Sequence, residues 1–135
     1  MSDNEYKKDF WLWHGAKEKI NQHDKSNVFF YEREIWFCSL GVNVGHEQDG
    51  TSKDLFERPV LVLKKFNEKT FWGIPITSNK KCGKYYYQFR CKNRIHSLIL
   101  SQMRLFDSKR LTKKFASIEK IEFSCVKNRI IEILK

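Results

Sequence analysis

Apolar residues recur along this chain with two periods, one typical of helices and one typical of strands. Near the start, five residues lie three or four positions apart, as on one helix face: Tyr6, Phe10, Trp13, Lys17 and Ile20. The spacing predicts a helix over residues 5–23 that packs on the domain, or covers a functional groove, through Trp11 and Trp13. The polar residues 24–27 end this helix.

Short apolar runs separated by turn residues predict strands in the rest of the chain. The predicted strands cover residues 34–40, 59–63, 70–76, 85–89, 97–100 and 114–118, with turns at 66–69, 79–84 and 107–110. Proline lacks the amide donor that a strand interior needs, so Pro75 predicts that its strand ends near a sheet edge. The polar, glycine-containing residues 41–57 predict a long loop, and long loops in compact domains are usually functional or mobile.

The end of the chain has a helical pattern again. Residues 119–134 predict a closing helix, because four apolar residues share one face: Phe123, Val126, Ile130 and Leu134. Strands at intervals of about eight to twelve residues, flanked by helices, are typical of a small β-barrel or a curled sheet. We therefore expect an α+β fold.

Composition places the chain in the globular class. It has 135 residues, of which 41% are hydrophobic and 31% charged, enough for one domain with a core of its own. No apolar run approaches the roughly 20 residues that a membrane span needs, and no apolar segment of a signal peptide follows the charged N-terminus. We therefore expect a cytoplasmic protein with no membrane partner.

The net charge of +10 is carried by the last part of the chain. Residues 1–33 have six basic and six acidic side chains, residues 34–79 have five and six, and residues 80–135 have fifteen and four. The three segments therefore contribute 0, −1 and +11. A basic surface of this kind indicates a polyanionic partner such as nucleic acid, although a merely solvated surface has the same composition.

The four cysteines have no spacing typical of a zinc site, so we expect reduced, structural thiols. Cys38 and Cys125 lie in apolar surroundings, which favours their burial. Cys82 and Cys91 face each other only if a hairpin pairs them.

Six short pieces of sequence, in this order, resemble the MazF/PemK toxins of bacterial toxin–antitoxin systems. They are REIW at 33–36, GHEQDG at 45–50, RPVLV at 58–62, IPITS at 74–78, LILSQMR at 98–104 and DSKRL at 107–111. The resemblance spans residues 33–134. It implies an SH3-like β-barrel domain over residues 28–135, preceded by a helical extension over residues 1–27.

The resemblance implies a homodimeric toxin that cuts single-stranded RNA without a metal or other cofactor, leaving a 2′,3′-cyclic phosphate and a 5′-hydroxyl. It also implies a cognate antitoxin that lays an acidic, partly disordered tail over the RNA groove, and a charge of +10 suits such a partner. The same barrel serves gyrase poisons, so the fold alone does not give the activity. Two alternatives stay open: a gyrase-directed toxin and a catalytically silent RNA-binding module.

The family's catalytic arginine and threonine match Arg58 and Thr77. In this chemistry the 2′-hydroxyl attacks the neighbouring phosphate, and a fixed cation and hydrogen-bond donors stabilise the charge on the phosphate oxygens. The planar guanidinium of Arg58 suits that role, and Thr77 has a hydroxyl to donate. Alternatively, Arg58 forms an ion pair with Glu57, and Thr77 is an ordinary turn hydroxyl.

Glu47 is the candidate acceptor of the 2′-hydroxyl proton. Its alternative role is a loop contact with Arg58 or with a backbone amide. Of the four histidines, only His46 adjoins this residue, and it is the one that we consider as an acid or base. His96 is expected on the surface.

RNA contact is expected at the basic turns, where lysines for phosphate stand beside aromatic rings for stacking. The candidate residues are Lys80, Lys81, Lys84 and Tyr86, with Gln48 and Gln102 as further hydrogen-bonding residues. The two glutamines have an alternative role as loop braces, which we favour for Gln102. The chain departs from the family pattern in residues 51–57, an insertion before Arg58, so the cleavage motif of relatives does not transfer.

Overall fold

The computed structural model of the protein describes residues 6–23, 28–51 and 56–135. The predicted helix start at residue 5, the polar segment 24–27 and most of the insertion (residues 52–55) lie outside the described residues. The described residues form two helices, α1 (Phe10–Gln22) and α2 (Lys120–Ile133), and seven strands: β1 (Glu34–Ser39), β2 (Glu57–Lys65), β3 (Thr70–Thr77), β4 (Tyr86–Cys91), β5 (Arg94–Ile99), β6 (Arg104–Asp107) and β7 (Leu111–Ser117).

The strands form an antiparallel sheet in the order β4-β5-β3-β2-β1-β7, with β6 paired to β3. The α+β class and the curled, half-barrel sheet are therefore confirmed. All six predicted strands are present, and so are both predicted helices. β6 was not predicted, because a strand of four residues is too short to show a period.

β3 lies at the centre of the sheet and gives it its curl. Residues 70–73 pair with β6, residues 76–77 pair with β5, and β2 runs along the other side. The expectation that Pro75 marks a sheet edge is therefore wrong. Pro75 lies between the residues that pair with β6 and those that pair with β5, so its missing amide donor interrupts no ladder on that side.

β2 is buried on both faces, as its continuous apolar run predicts. Leu61 and Leu63 belong to one core cluster, which α2 covers with Phe123 and Val126. The valines of β2 belong to a second cluster with the aromatic rings of β3 and β6. The predicted face of α2 is wrong at its end, since Leu134 is 78% exposed. Neither of the described helices is long and apolar enough to cross a membrane.

α1 docks on the loop before β2 rather than on either core cluster of the sheet. The side chain of Asp9 accepts a hydrogen bond from a first-turn amide and begins the helix. Trp13 is 6% exposed and packs with Val42 and Phe56 in a third cluster. Trp11 is 87% exposed, so of the two tryptophans only Trp13 packs within the described residues.

Gly41 allows this docking. Its φ is +77°, in the region that favours glycine, and a Cβ atom at this position would lie 2.0 Å from the ring of Trp13. The helix and the loop therefore fit each other only because residue 41 has no side chain.

Two expectations about single side chains are also wrong. Cys125 is exposed on α2. Cys91, for which the sequence left a pairing with Cys82 open, pairs with Arg94 of β5. His96 is buried, its ring stacks on that of Phe89 with centroids 5.6 Å apart, and its Nε2 has no hydrogen-bond partner among the described residues. The histidine begins a run of four buried residues, 96–99, that ends β5.

We predict that Trp13→Ala lowers the free energy of unfolding by about 3 kcal/mol, since it removes the buried anchor of α1. Trp11→Ala is the matched control in the same helix and should change it by less than about 0.5 kcal/mol. Urea denaturation followed by circular dichroism measures both. Equal losses in the two variants would show that α1 does not dock through Trp13.

Candidate active site

Arg58 stands at the point where the long loop enters β2. Its guanidinium is half-buried, and two backbone carbonyls hold it: Nε donates to Asp49 O (2.7 Å) and Nη1 to Ile76 O (3.1 Å). With the amide of Gln48 turned so that its oxygen faces the guanidinium, Oε1 accepts from Nε (3.1 Å) and from Nη2 (2.8 Å). The arginine is thus fixed between the loop and the end of β3.

The electrostatic surroundings leave this arginine charged. Burial lowers the pKa of Arg58, and the nearby Asp49 and Tyr6 raise it again by Coulomb interaction. A guanidinium begins from a pKa so high that it keeps its proton under these influences. Among the described residues no carboxylate lies within ion-pair distance of Arg58, so the alternative of an ion pair with Glu57 is not found there.

Thr77 is the last residue of β3 and follows directly the carbonyl that Arg58 binds. The residue is only 8% exposed. Its Oγ1 accepts a hydrogen bond from Asn79 N (3.2 Å), which is the contact of a turn hydroxyl. The hydroxyl uses only its acceptor in this contact, so its O–H is still available as a hydrogen-bond donor.

Glu47 is exposed and contacts a backbone amide rather than Arg58. Its Oε1 accepts from Val44 N (2.9 Å), and its own amide donates to Val44 O (3.1 Å), which closes a small turn. Gln102 braces the same loop, as favoured from the sequence: its Oε1 accepts from Gln48 N (3.1 Å) and its Nε2 donates to His46 O (3.1 Å). His46 itself is exposed.

Asp49 is a residue of this site that the sequence reasoning missed. It is buried, and its Oδ1 accepts from Asn43 N (2.7 Å) while its Oδ2 accepts from the hydroxyl of Tyr6 (2.8 Å). Lys8 Nζ lies 3.3 Å from the same Oδ2 and also donates to Gly45 O (2.8 Å). Burial and then the bond to Asp49 raise the pKa of Tyr6 to about 12, so the phenol keeps its proton.

A groove of about 770 Å³ lies between this N-terminal segment and the loop. Residues 6–9 and Leu12 form one wall, residues 45–51 form the other, and Arg58 lies in its lining together with Val42 and Phe56. The GHEQDG piece identified the loop wall as part of a site. The sequence pattern did not identify the N-terminal wall, because the contacts between that segment and the loop join residues about forty positions apart.

The predicted RNA-binding lysines lie on the loop that follows Thr77. Lys80, Lys81 and Lys84 are exposed, and Lys84 Nζ lies 5.0 Å from the ring centroid of Tyr85. The loop is fastened to β5, since Lys81 N donates to Ser97 Oγ (2.9 Å) and Ser97 pairs with Thr77. Tyr86 is half-buried at the start of β4. The charged loop therefore begins at the strand end that carries Thr77.

Within residues 6–23, 28–51 and 56–135, no group of three or more histidine, cysteine, aspartate or glutamate side chains could hold a metal ion.

Comparison with solved structures supports the fold. MazF from Deinococcus radiodurans superposes with a TM-score of 0.65 at 18% identity, covering 80% of this chain and 98% of that one. The MazE–MazF complex from the same organism gives 0.59 at 18% identity, covering 80% and 97%. An endoribonuclease in complex with its cognate antitoxin, from a mycobacterial species, gives 0.58 at 6% identity, covering 78% and 95%.

A search by sequence among curated proteins finds no match. The model of a protein family does match, over residues 31–134, which is most of the chain. It describes the PemK-like, MazF-like toxins of type II toxin–antitoxin systems. The family expected from the six sequence pieces is thereby confirmed, and the chain belongs to the PemK-like, MazF-like toxins of type II toxin–antitoxin systems.

Proposed function

We propose that this toxin is a metal-independent endoribonuclease that cleaves single-stranded RNA to a 2′,3′-cyclic phosphate and a 5′-hydroxyl. The observation that carries the proposal is the guanidinium of Arg58, held by the carbonyls of Asp49 and Ile76 and paired with no described carboxylate. A cation that is fixed in this way is prepared for an anionic ligand, and it needs no rearrangement when charge develops.

Arg58 would stabilise the phosphate during attack by the 2′-hydroxyl. Of the five N–H donors of a guanidinium, one on Nε, one on Nη1 and one on Nη2 are used by the contacts described above. One N–H on each Nη is left for the two non-bridging oxygens. Thr77 would donate a hydrogen bond from its hydroxyl to the same phosphate, while the leaving 5′-oxygen would take a proton from solvent, to which Glu47 returns the one it accepts.

Glu47 would accept the proton of the 2′-hydroxyl. One of its carboxylate oxygens is held by Val44 N, which fixes the side chain. The other oxygen accepts no hydrogen bond from the described residues, so it is the one for this role. His46 is the alternative base, since it is exposed in the same loop.

RNA would lie across the loop of Lys80, Lys81 and Lys84 and the half-buried Tyr86, with Gln48 and Gln102 holding the loop wall. The lysines supply sequence-independent attraction to phosphates, and the adjacent rings supply stacking. We further propose a homodimer and an antitoxin whose acidic tail occupies the same basic region. The solved complexes of similar toxins with their antitoxins support such a partner.

The burial of Thr77 favours one second candidate, an RNA-binding module without cleavage. A hydroxyl that is 8% exposed and already engaged with Asn79 N reaches a phosphate only if the backbone after β3 makes room. The two candidates differ in whether new 5′-hydroxyl ends form, so one experiment separates them.

The wild-type protein should cut a long single-stranded RNA in EDTA, and the new ends should carry 5′-hydroxyls. Arg58→Ala should lower the cleavage rate about 10²- to 10³-fold, because it removes a preorganised donor. Thr77→Val, which lacks the hydroxyl, should also lower the cleavage rate, whereas Thr77→Ser, which keeps a hydroxyl, should cleave near the wild-type rate.

Arg90→Ala, an exposed arginine on β4, is the matched control for Arg58, and circular dichroism verifies the folds. RNA binding without any new ends in the wild type would favour the silent module. Full activity in both Arg58→Ala and Thr77→Val would remove these two residues from the site.

Glu47→Gln distinguishes two roles of Glu47, as the base that accepts the 2′-hydroxyl proton and as a brace of its loop. The amide oxygen of Gln still accepts the hydrogen bond from Val44 N but cannot take up a proton. We expect kcat to fall at least tenfold with KM and thermal stability unchanged. If Glu47→Gln keeps full kcat while His46→Ala loses it, the histidine is the base.

Replacing Lys80, Lys81 and Lys84 by Glu should weaken RNA binding and flatten its salt dependence. With roughly 0.7 counterions released per contact on single strands, the slope of log K against log salt should drop by about 2. The control makes the same charge change at Lys64, Lys69 and Lys120, which are exposed elsewhere. An equal loss in the control would show that net charge, and not this loop, determines binding.

A further inference from the structure

The wall of the groove that α1 and the preceding residues supply lies outside the matched family domain. The family model begins at residue 31, whereas residues 6–9 and Leu12 come from the extension before it. A part of the candidate site of this chain is therefore supplied by sequence that the family pattern does not include.

The side chain of Tyr6 in this wall is anchored by its hydroxyl, while its ring is exposed to solvent. The hydroxyl donates to Asp49 Oδ2 at 2.8 Å, and Lys8 fastens the same stretch to Asp49 and to the carbonyl of Gly45. The residue is nevertheless 65% exposed. An aromatic ring that is anchored in one orientation and faces solvent loses little entropy when it receives a planar ligand.

The groove has the dimensions and the lining of a nucleotide site. Its volume of about 770 Å³ lies in the range of small-ligand pockets. Leu12, Val42 and Phe56 give it apolar surface, which suits the faces of a base, and Arg58 supplies a cation for the attached phosphate. Lys7 and His46 lie in the same lining and can meet a base edge or a second phosphate.

We propose that this groove binds the base of the RNA nucleotide next to the scissile phosphate, stacked on the ring of Tyr6. The proposal rests on the proposed function for its ligand, single-stranded RNA. It makes the N-terminal extension a determinant of base preference in this toxin. Lys8 and Asp49 act as positioning residues, because Asp49 accepts the hydrogen bond of the Tyr6 hydroxyl and Lys8 fastens the same segment to Asp49 and Gly45.

Binding is tested separately from cleavage with 2′-O-methyl RNA hexamers rich in A, C, G or U, which have no 2′-hydroxyl to attack. NMR should show shifts for Tyr6, Leu12 and Val42 with at least one hexamer. Tyr6→Ala should lower the affinity for that hexamer about tenfold, the effect of one stacked base. Trp11→Ala, an exposed aromatic in the same extension that does not line the groove, should leave it unchanged.

Tyr6→Phe distinguishes stacking from loop support. It keeps the ring and loses the bond to Asp49, so it should retain most of the affinity. In cleavage, Tyr6→Ala should raise KM about tenfold with little change in kcat, and it should relax the preference for the base beside the cut.

The proposal fails if no hexamer shifts the groove residues, if Tyr6→Phe binds as weakly as Tyr6→Ala, or if Tyr6→Ala keeps its KM and base preference. Each of those results is compatible with EDTA-resistant cleavage by the wild type, so the failure of the base site is distinguishable from the failure of the proposed function. Shifts in the groove without any cleavage of ordinary RNA would support the base site and remove the nuclease function.

Discussion

The hydrogen bond from Arg58 Nε to the carbonyl of Asp49 joins the three parts of this molecule that form the site. Through its carbonyl, Asp49 holds the guanidinium, and through its carboxylate it holds Tyr6 and Lys8 of the N-terminal segment. Through Nη1, the same guanidinium reaches the end of β3. Asp49 and Arg58 together therefore link the extension, the loop and the sheet.

A half-buried guanidinium without a carboxylate is costly in a protein that has no ligand for it. Transfer of a charge out of water is unfavourable, and here carbonyl dipoles and an amide offset only a part of it. An ion pair would have satisfied the charge more completely and would also have occupied the donors that a phosphate needs. The carboxylate of Asp49 is close enough to raise the pKa of Arg58 but is itself engaged with Tyr6, Lys8 and Asn43 N. The arrangement keeps the cation available at the expense of stability, which is common at functional sites.

The sequence predicts well what depends on local pattern. The apolar run of β2, the closing helix and the positions of six strands along the chain follow from periodicity. The predictions that were wrong or missing depend on contacts between residues that are distant in the sequence. The bond between Tyr6 and Asp49 spans 43 positions, and no local period reports it. The helical period places Trp13 on the predicted face of α1 and turns Trp11 to another side, but the loop residue that Trp13 meets, Gly41, lies 28 positions away and is not shown by that period.

The uneven distribution of charge along the chain is related to the position of β3 in the sheet. The basic excess begins at residue 80, three residues after Thr77, so the cations of the loop start where the strand with the candidate hydroxyl ends. β3 also pairs with β2, which carries Arg58, and with β5, to which the basic loop is fastened. Under the proposed function, RNA attracted by this loop would approach Arg58 from the end of β3. An acidic tail attracted by the same lysines would meet it as well, because long-range attraction does not distinguish phosphates from carboxylates. The distinction has to come from short-range contacts, and the base site proposed in the groove beside Arg58 would supply one, because its apolar residues suit the face of a base.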